Sequence, residues 1–244
     1  MPASEAIAAA ADSGVLQMVT SGDSPAENQR ARELAEAYPG VFFTPGWHPS
    51  NGRAPSSAEW REIRDLLGHP RAVALGEVGL DYHRWDGAAI WDPGEQRNLL
   101  RSMLELAAEV GKPVVIHQRD AGGDLLGVLD SSPKVPTMLH CFSGGAEFAQ
   151  AAISRGLHCS FAGNLTFGSA AQLREAASVV PPELLLLETD SPFLAPHPLR
   201  GRVCHPALVR LTASWLANHL GVGLDTVAER SSSTARPFFQ LPPP

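Results

Sequence analysis

Short apolar runs alternate along the chain with longer stretches whose apolar residues recur at helical spacing. The runs lie at 15–20, 41–44, 72–76, 113–117, 137–140, 157–161 and 183–189. Each is too short and too uniformly apolar for a surface helix and reads as a buried strand. Between them the pattern predicts helices over Ser4–Ser13, Pro25–Tyr38, Ser56 or Ser57 to Leu67, Gly94–Val110, Ala121–Leu129, Ala146–Arg155 and Ser169–Val179. Two more helices, His205–Leu220 and Leu224–Ala235, precede a proline-rich tail. Start and stop signals agree with these limits: Ser4 stands as an N-cap, and Gly14, Pro39-Gly40, Gly111 and Gly156 end helices. The stretch 83–93, carrying Trp85 and Trp91, reads as a loop.

Strands alternating with amphipathic helices imply parallel β-structure with right-handed crossovers, in a closed barrel or an open sheet. An open sheet gathers its ligand at one switch point. Here polar residues suited to chemistry end at least four strands spread over residues 77–190, which suits a barrel whose strand ends converge on one face. The expected fold is therefore α/β, a TIM (β/α)8-type barrel in a single domain over 1–244. Seven strands are visible where eight are needed, and the chain opens on a helix, so the first strand is the missing element. On that ground the sequence is expected to be an N-terminally shortened form.

Glu77 follows the run Val73-Ala74-Leu75 between Gly76 and Gly79, and the glycines suggest a sharp turn as the chain leaves the sheet, with Glu77 at the strand tip. His117, His140 and Asp190 end three other runs. Two imidazoles and a carboxylate form a three-ligand set that leaves room for water. Imidazole with carboxylate suits Zn, Mn, Ni or Fe, with Mg less favoured, at one or two ions per chain. Asp190 is either a further ligand, the base that takes a proton from water, or a cap for the turn before Pro192. His48, between Trp47 and Pro49, is a turn histidine or a contact to substrate phosphate. Arg119, in the loop after His117, is a phosphate clamp or a loop salt bridge. Cys141-Phe142-Ser143-Gly144-Gly145 lacks the first glycine of a nucleophile elbow, and Gly76-Glu77-Val78-Gly79 is neither a dinucleotide fingerprint nor a phosphate loop.

Composition narrows the partners. With 19 basic against 26 acidic residues in 244, the net charge of -7 excludes nucleic-acid binding through a broad basic face. It leaves room for a nuclease in which a metal and a few arginines hold phosphate. The cysteines Cys141, Cys159 and Cys204 are odd in number and lack the spacing of a zinc knuckle, so a cytoplasmic location is expected. No run approaches a membrane span, and no secretory signal is visible.

Gly46-Trp47-His48-Pro49, Gly76-Glu77-Val78-Gly79-Leu80-Asp81-Tyr82, Ile116-His117-Gln118-Arg119-Asp120-Ala121, Leu139-His140-Cys141-Phe142-Ser143-Gly144 and Glu188-Thr189-Asp190-Ser191-Pro192-Phe193-Leu194 resemble, in order, the motifs of the TatD family of metal-dependent deoxyribonucleases. The similarity runs to Ala235-Arg236-Pro237-Phe238-Phe239. It implies a barrel hydrolase that degrades DNA from an end with a divalent metal, in the cytoplasm, as a monomer or weak oligomer. It also implies Glu77, His117, His140 and Asp190 as ligands. Two departures stand out: no His-x-His occurs near the start, and Cys204-His205-Pro206 replaces the family's Asn-Glu-Pro. The same metal set would also serve another ester, such as an aminoacyl ester on tRNA. Without the His-x-His, a catalytically impaired metal-binding relative is the remaining alternative.

Overall fold

A computed structural model describes residues 1–85 and 87–244. In chain order the elements are α1 (Ala3–Asp12), β1 (Met18–Ser21), α2 (Pro25–Ala37), β2 (Val41–Thr44), α3 (Ser57–Leu67), β3 (Leu75–Asp81), β4 (Arg84–Trp85), β5 (Ala88–Ala89) and α4 (Pro93–Val110). There follow β6 (Val114–Arg119), α5 (Gly122–Asp130), β7 (Thr137–Leu139), α6 (Ala146–Ile153), β8 (His158–Phe161), α7 (Ala171–Val179), β9 (Leu185–Leu187), α8 (Val209–Leu220) and α9 (Leu224–Phe239). They gather into two compact units, residues 19–140 and residues 1–18 with 141–244.

In the unit of residues 19–140, β1 lies beside β2, and a parallel bridge joins Phe43 to Ala72. β3 pairs in parallel with β6, and β6 with β7. Local chemistry sets the helices between them. Ser56 and Glu59 close a capping box at the start of α3. Asp92 caps α4 by accepting from the Glu95 N–H, Pro93 fills its first turn, and Gly111 at φ 66° ends it. α4 packs on β3 and buries Met103 and Leu104 completely. Burying each such side chain contributes about 1.5–3 kcal/mol.

Three expectations are corrected here. The strand expected at 72–76 runs instead over Leu75–Asp81, so Glu77 lies inside it rather than at its tip. Gly76 and Gly79 do not turn the chain out of the sheet. They admit a register shift between Leu75 and Val78 and a very close approach to the neighbouring strand. A Cβ on Gly76 would stand 2.6 Å from Val115 Cβ, and one on Gly79 2.0 Å from the His117 carbonyl oxygen. Second, β6 extends past His117, which places Arg119 in the strand, opposite Asp81. Third, the expected loop at 83–93 contains the antiparallel pair β4 and β5; its residue 86 lies outside the described residues.

In the other unit, β8 pairs in parallel with β9, with Cys159 opposite Leu185 and Phe161 opposite Leu187. α1 starts at Ala3 behind Pro2 rather than behind a Ser4 cap, and packs against the 3₁₀ turn Pro206–Leu208. That turn delays the start of α8 to Val209. α9 outruns its expected end and passes through Pro237. A proline inside a helix costs about 3 kcal/mol. Burial of Phe238 and Phe239, 6% and 7% exposed, offsets that at about 1.5–3 kcal/mol each. No helix among the described residues is long and apolar enough to cross a membrane.

The closeness of β3 and β6 yields a paired prediction. Gly111→Ala meets no atom within 4 Å and carries only the strain of φ +66°, about 1 kcal/mol. Gly79→Ala must also push two strands apart, which adds about 1–3 kcal/mol or more. Thermal melts should show the larger loss for Gly79→Ala. Equal melting temperatures would show that the tight pairing is not limiting.

Candidate metal centre

Buried amide chemistry holds the backbone of the site. Asn28, 1% exposed, donates from Nδ2 to Gly46 O at 3.0 Å and accepts from Gly46 N at 2.9 Å. Both backbone polar groups of one residue are thereby satisfied by a single side chain. Gly46 can then press on the next strand: a Cβ there would lie 2.3 Å from the Gly76 carbonyl carbon. Glu77 N donates to Gly22 O at 2.8 Å, and His48 N to Asp23 O at 2.9 Å. Trp47, fully buried, donates from Nε1 to Arg53 O and anchors the loop.

On this frame imidazoles converge on a single carboxylate oxygen. Oε1 of Glu77 lies 3.0 Å from His117 Nδ1, 3.8 Å from His48 Nε2 and 3.8 Å from His140 Nε2. His140 reaches this point because its N–H extends the β6–β7 ladder to Ile116 O. Among the described residues, the ligand atoms of His48, Glu77 and His117 all fall within 4.8 Å of one another. Distance alone thus groups His48 with the ligands, but its hydrogen bonding separates it. Nδ1 of His48 accepts from the Ser50 backbone N–H at 3.0 Å. A backbone N–H only donates, so the neutral ring carries its proton on Nε2, the atom that faces Glu77. That nitrogen has no lone pair for a cation and is instead a donor to an anion. Glu77, His117 and His140 remain as a carboxylate with two imidazoles, a donor set that fits a catalytic divalent metal.

Asp81 belongs to the same constellation and was not singled out from the sequence. Gly79 stands opposite His117 in the parallel register, and Glu77 and Asp81 flank it by two residues on the same face. With no side chain at 79, the two carboxylates reach the imidazole from either side: Nε2 of His117 lies 3.1 Å from Asp81 Oδ2. Asp81 is 4% exposed, and the buried Gln96 grips its backbone, donating to Asp81 O and accepting from Asp81 N. Holding Nε2–H leaves Nδ1 as the nitrogen for a metal. The signal was present as two carboxylates four residues apart with glycine between, but it is legible only once the strand is known to continue to Asp81.

The charge states follow from these contacts. Burial alone would raise the Glu77 carboxyl, but His140, His117 and His48 outweigh it and hold it down to about 2. Burial likewise opposes the His117 imidazolium, and the hydrogen bonds to Asp81 and Glu77 overcome it, raising that ring to about 9. Burial lowers His48, as does the nearby His117 charge. The two rings, 4.3 Å apart and edge to face, therefore differ at neutral pH: His117 charged, His48 neutral.

The remaining sequence-derived residues are placed as follows. Arg119 ends β6 and its charge helps depress Asp81. Asp190 belongs to the other unit. It lies beyond β9 with φ +55°, and its carbonyl accepts from Phe193 N at 2.8 Å, closing a turn.

Comparison with known proteins gives this arrangement its setting. The structure of YjjV, a TatD homologue from Escherichia coli K12, superposes with a TM-score of 0.90 at 25% identity, over 98% of this chain and 92% of that one. The fold class is accordingly α/β of the TIM-barrel type. The sequence model described as TatD related DNase matches residues 2–240. A Mycobacterium tuberculosis relative, the uncharacterized metal-dependent hydrolase TatD, is 36% identical over 95% of this chain and 89% of its own length. The 3'-5' ssDNA/RNA exonuclease TatD of Erwinia billingiae is 32% identical over 96% and 91%. This chain belongs to the TatD related DNase family.

Two outcomes test the centre. In the metal-free protein the His117 proton is retained to about pH 9 but leaves near 6.5 once the chain unfolds. Its contribution to stability is therefore full below 6.5 and lost as the pH rises through 9. Metal binding at Nδ1 at pH 7 should release about one proton, and the release should fade above pH 9. Calorimetry in buffers of different ionisation enthalpy reads this, and no release at pH 7 would remove His117 from the ligand set. Separately, Asp81→Ala should weaken metal affinity about 10–100-fold in competition with a chromophoric chelator. Unchanged affinity would reduce Asp81 to a structural residue.

Proposed function

We propose that the chain is a divalent-metal-dependent hydrolase that cleaves DNA phosphodiester bonds from a 3' end. The observation that carries the reading is the convergence of His117, His140 and His48 on one Glu77 oxygen. Glu77, His117 and His140 would hold the metal. When bound, such an ion lowers the pKa of a coordinated water from about 15.7 toward about 7 and polarises a phosphoryl oxygen. Asp81 keeps the His117 ring in one orientation. His48 offers its Nε2–H to a phosphate oxygen, as a neutral donor that neither repels the metal nor needs protonation. Arg119 supplies positive charge for the phosphate. Asp190 takes the proton from water; support for that role is its place in the motif Glu188-Thr189-Asp190-Ser191-Pro192. The name of the Erwinia relative supports a nucleic-acid substrate with 3'-5' polarity. The absence of a disulfide at Cys141, Cys159 and Cys204 suits a cytoplasmic protein, and a monomer or weak oligomer is proposed with it.

A chelator should abolish nucleotide release from a linear oligonucleotide, and one added divalent metal should restore it. Glu77→Gln should lose both bound metal and activity. Asp190→Asn should keep most of the metal while turnover falls about 100-fold or more. Hydrolysis that survives chelation, or an Asp190→Asn variant as fast as the parent, would overturn the mechanism.

A further inference from the structure

Between Pro192 and Cys204 the chain leaves the end of the β9 segment and returns to nearly the same point. The Cys204 N–H donates to Pro192 O at 2.9 Å, which closes a compact surface loop. Its inner side is well fixed. Ala195 and Cys204 are buried with Leu208 and packed by Leu199, and His197 N donates to Thr166 Oγ1 at 2.8 Å.

The outer side is of another character. Phe193 and Val203 are 66% and 68% exposed, and the Pro192–Cys204 bond sets their backbones side by side. A lone exposed apolar residue needs no explanation. Here two stand together on a fixed loop, with cations and without acids. Residues 191–205 include Arg200 and Arg202 and no Asp or Glu, in a chain with 26 acidic against 19 basic residues. The Arg200 guanidinium lies over the Phe167 ring, 4.4 Å from its centroid, a second flat surface of positive charge. The loop is rooted at Asp190, whose carbonyl binds Phe193 N.

We propose that this loop is a stacking platform for the unpaired bases of single-stranded nucleic acid, resting on the nuclease reading above. Phe193 supplies the ring face, and Arg200 and Arg202 contact the flanking phosphates. An exposed ring on a fixed loop gains base stacking with little loss of conformational freedom. Stacking of this kind is indifferent to sequence, because every base has a flat face. Bases within a duplex already stack on one another and offer Phe193 nothing. The phosphate contacts are local, which is how a chain of net charge -7 holds a polyanion without a broad basic face.

The test uses the metal-loaded full chain and a single-stranded phosphorothioate oligonucleotide carrying 2-aminopurine at its 3' terminus. Binding to the parent should quench the fluorophore. Phe193→Ala and Phe193→Leu should both bind about tenfold more weakly and lose the quench. Leucine keeps apolar bulk and loses the ring, so equal binding by Phe193→Leu overturns the stacking role. Arg200→Gln with Arg202→Gln should lower the slope of log affinity against log salt by about 1–2; an unchanged slope removes the arginines. A blunt duplex that binds as tightly as the single strand overturns the choice of ligand. The two readings separate cleanly. Ring-dependent binding without nucleotide release from an unmodified strand defeats the nuclease reading alone. Release unaffected by Phe193→Ala, with unaltered binding, defeats the platform alone.

Discussion

The pairing of β3 with β6 depends on how closely the two backbones approach at Gly79, where the His117 carbonyl occupies the space any Cβ would need. An imidazole normally stands beside the side chain of its cross-strand neighbour. Here that neighbour has none, and the gap is filled from both sides by the carboxylates two residues away. The histidine is thus held at each ring nitrogen, by Glu77 and by Asp81. Gly46 repeats the device one strand earlier, against the Gly76–Glu77 peptide. Such contacts are possible only for glycine, so the sequence Gly-Glu-x-Gly-x-Asp records a packing constraint as much as a chemical one.

That constraint has an electrostatic result. Setting the His117 ring between the Glu77 and Asp81 carboxylates raises the imidazole and helps hold Glu77 ionised, against the burial that opposes both charges. Without a metal, the His117 proton supplies the missing positive charge. A divalent ion in the same place would supply more of it, and the site is shaped for that exchange before any ion arrives. His48 stands apart because a backbone N–H fixes its tautomer. Two histidines with touching rings thereby take opposite roles, one offering a lone pair and the other a proton.

The alternation of strands and helices was legible because buried parallel strands read as short uniform apolar runs, and because caps such as Ser56 and Gly111 mark helix ends plainly. Glu77 and the histidines were legible for the same reason, each being a polar residue that closes an apolar run. What escaped was long-range. The strand pattern at 72–76 stops short of Asp81, and only the pairing of Leu80 with Gln118 and of Asp81 with Arg119 shows that the strand continues to it. The role of Asn28 as a clamp on Gly46 has no local signature at all: it is a polar residue on an otherwise ordinary helix. Pro237 reads as a helix end, and only the burial of the two phenylalanines after it explains why α9 continues.

Asn28 also limits which side chains its helical position admits. The amide that grips Gly46 works only because it can give as well as accept. Aspartate there has the same size and shape, but its ionised carboxylate cannot donate and would face, in a buried position, a carbonyl oxygen that repels it. The chain would keep its length, its helices and its metal-binding residues, and would lose the peptide geometry that aims them.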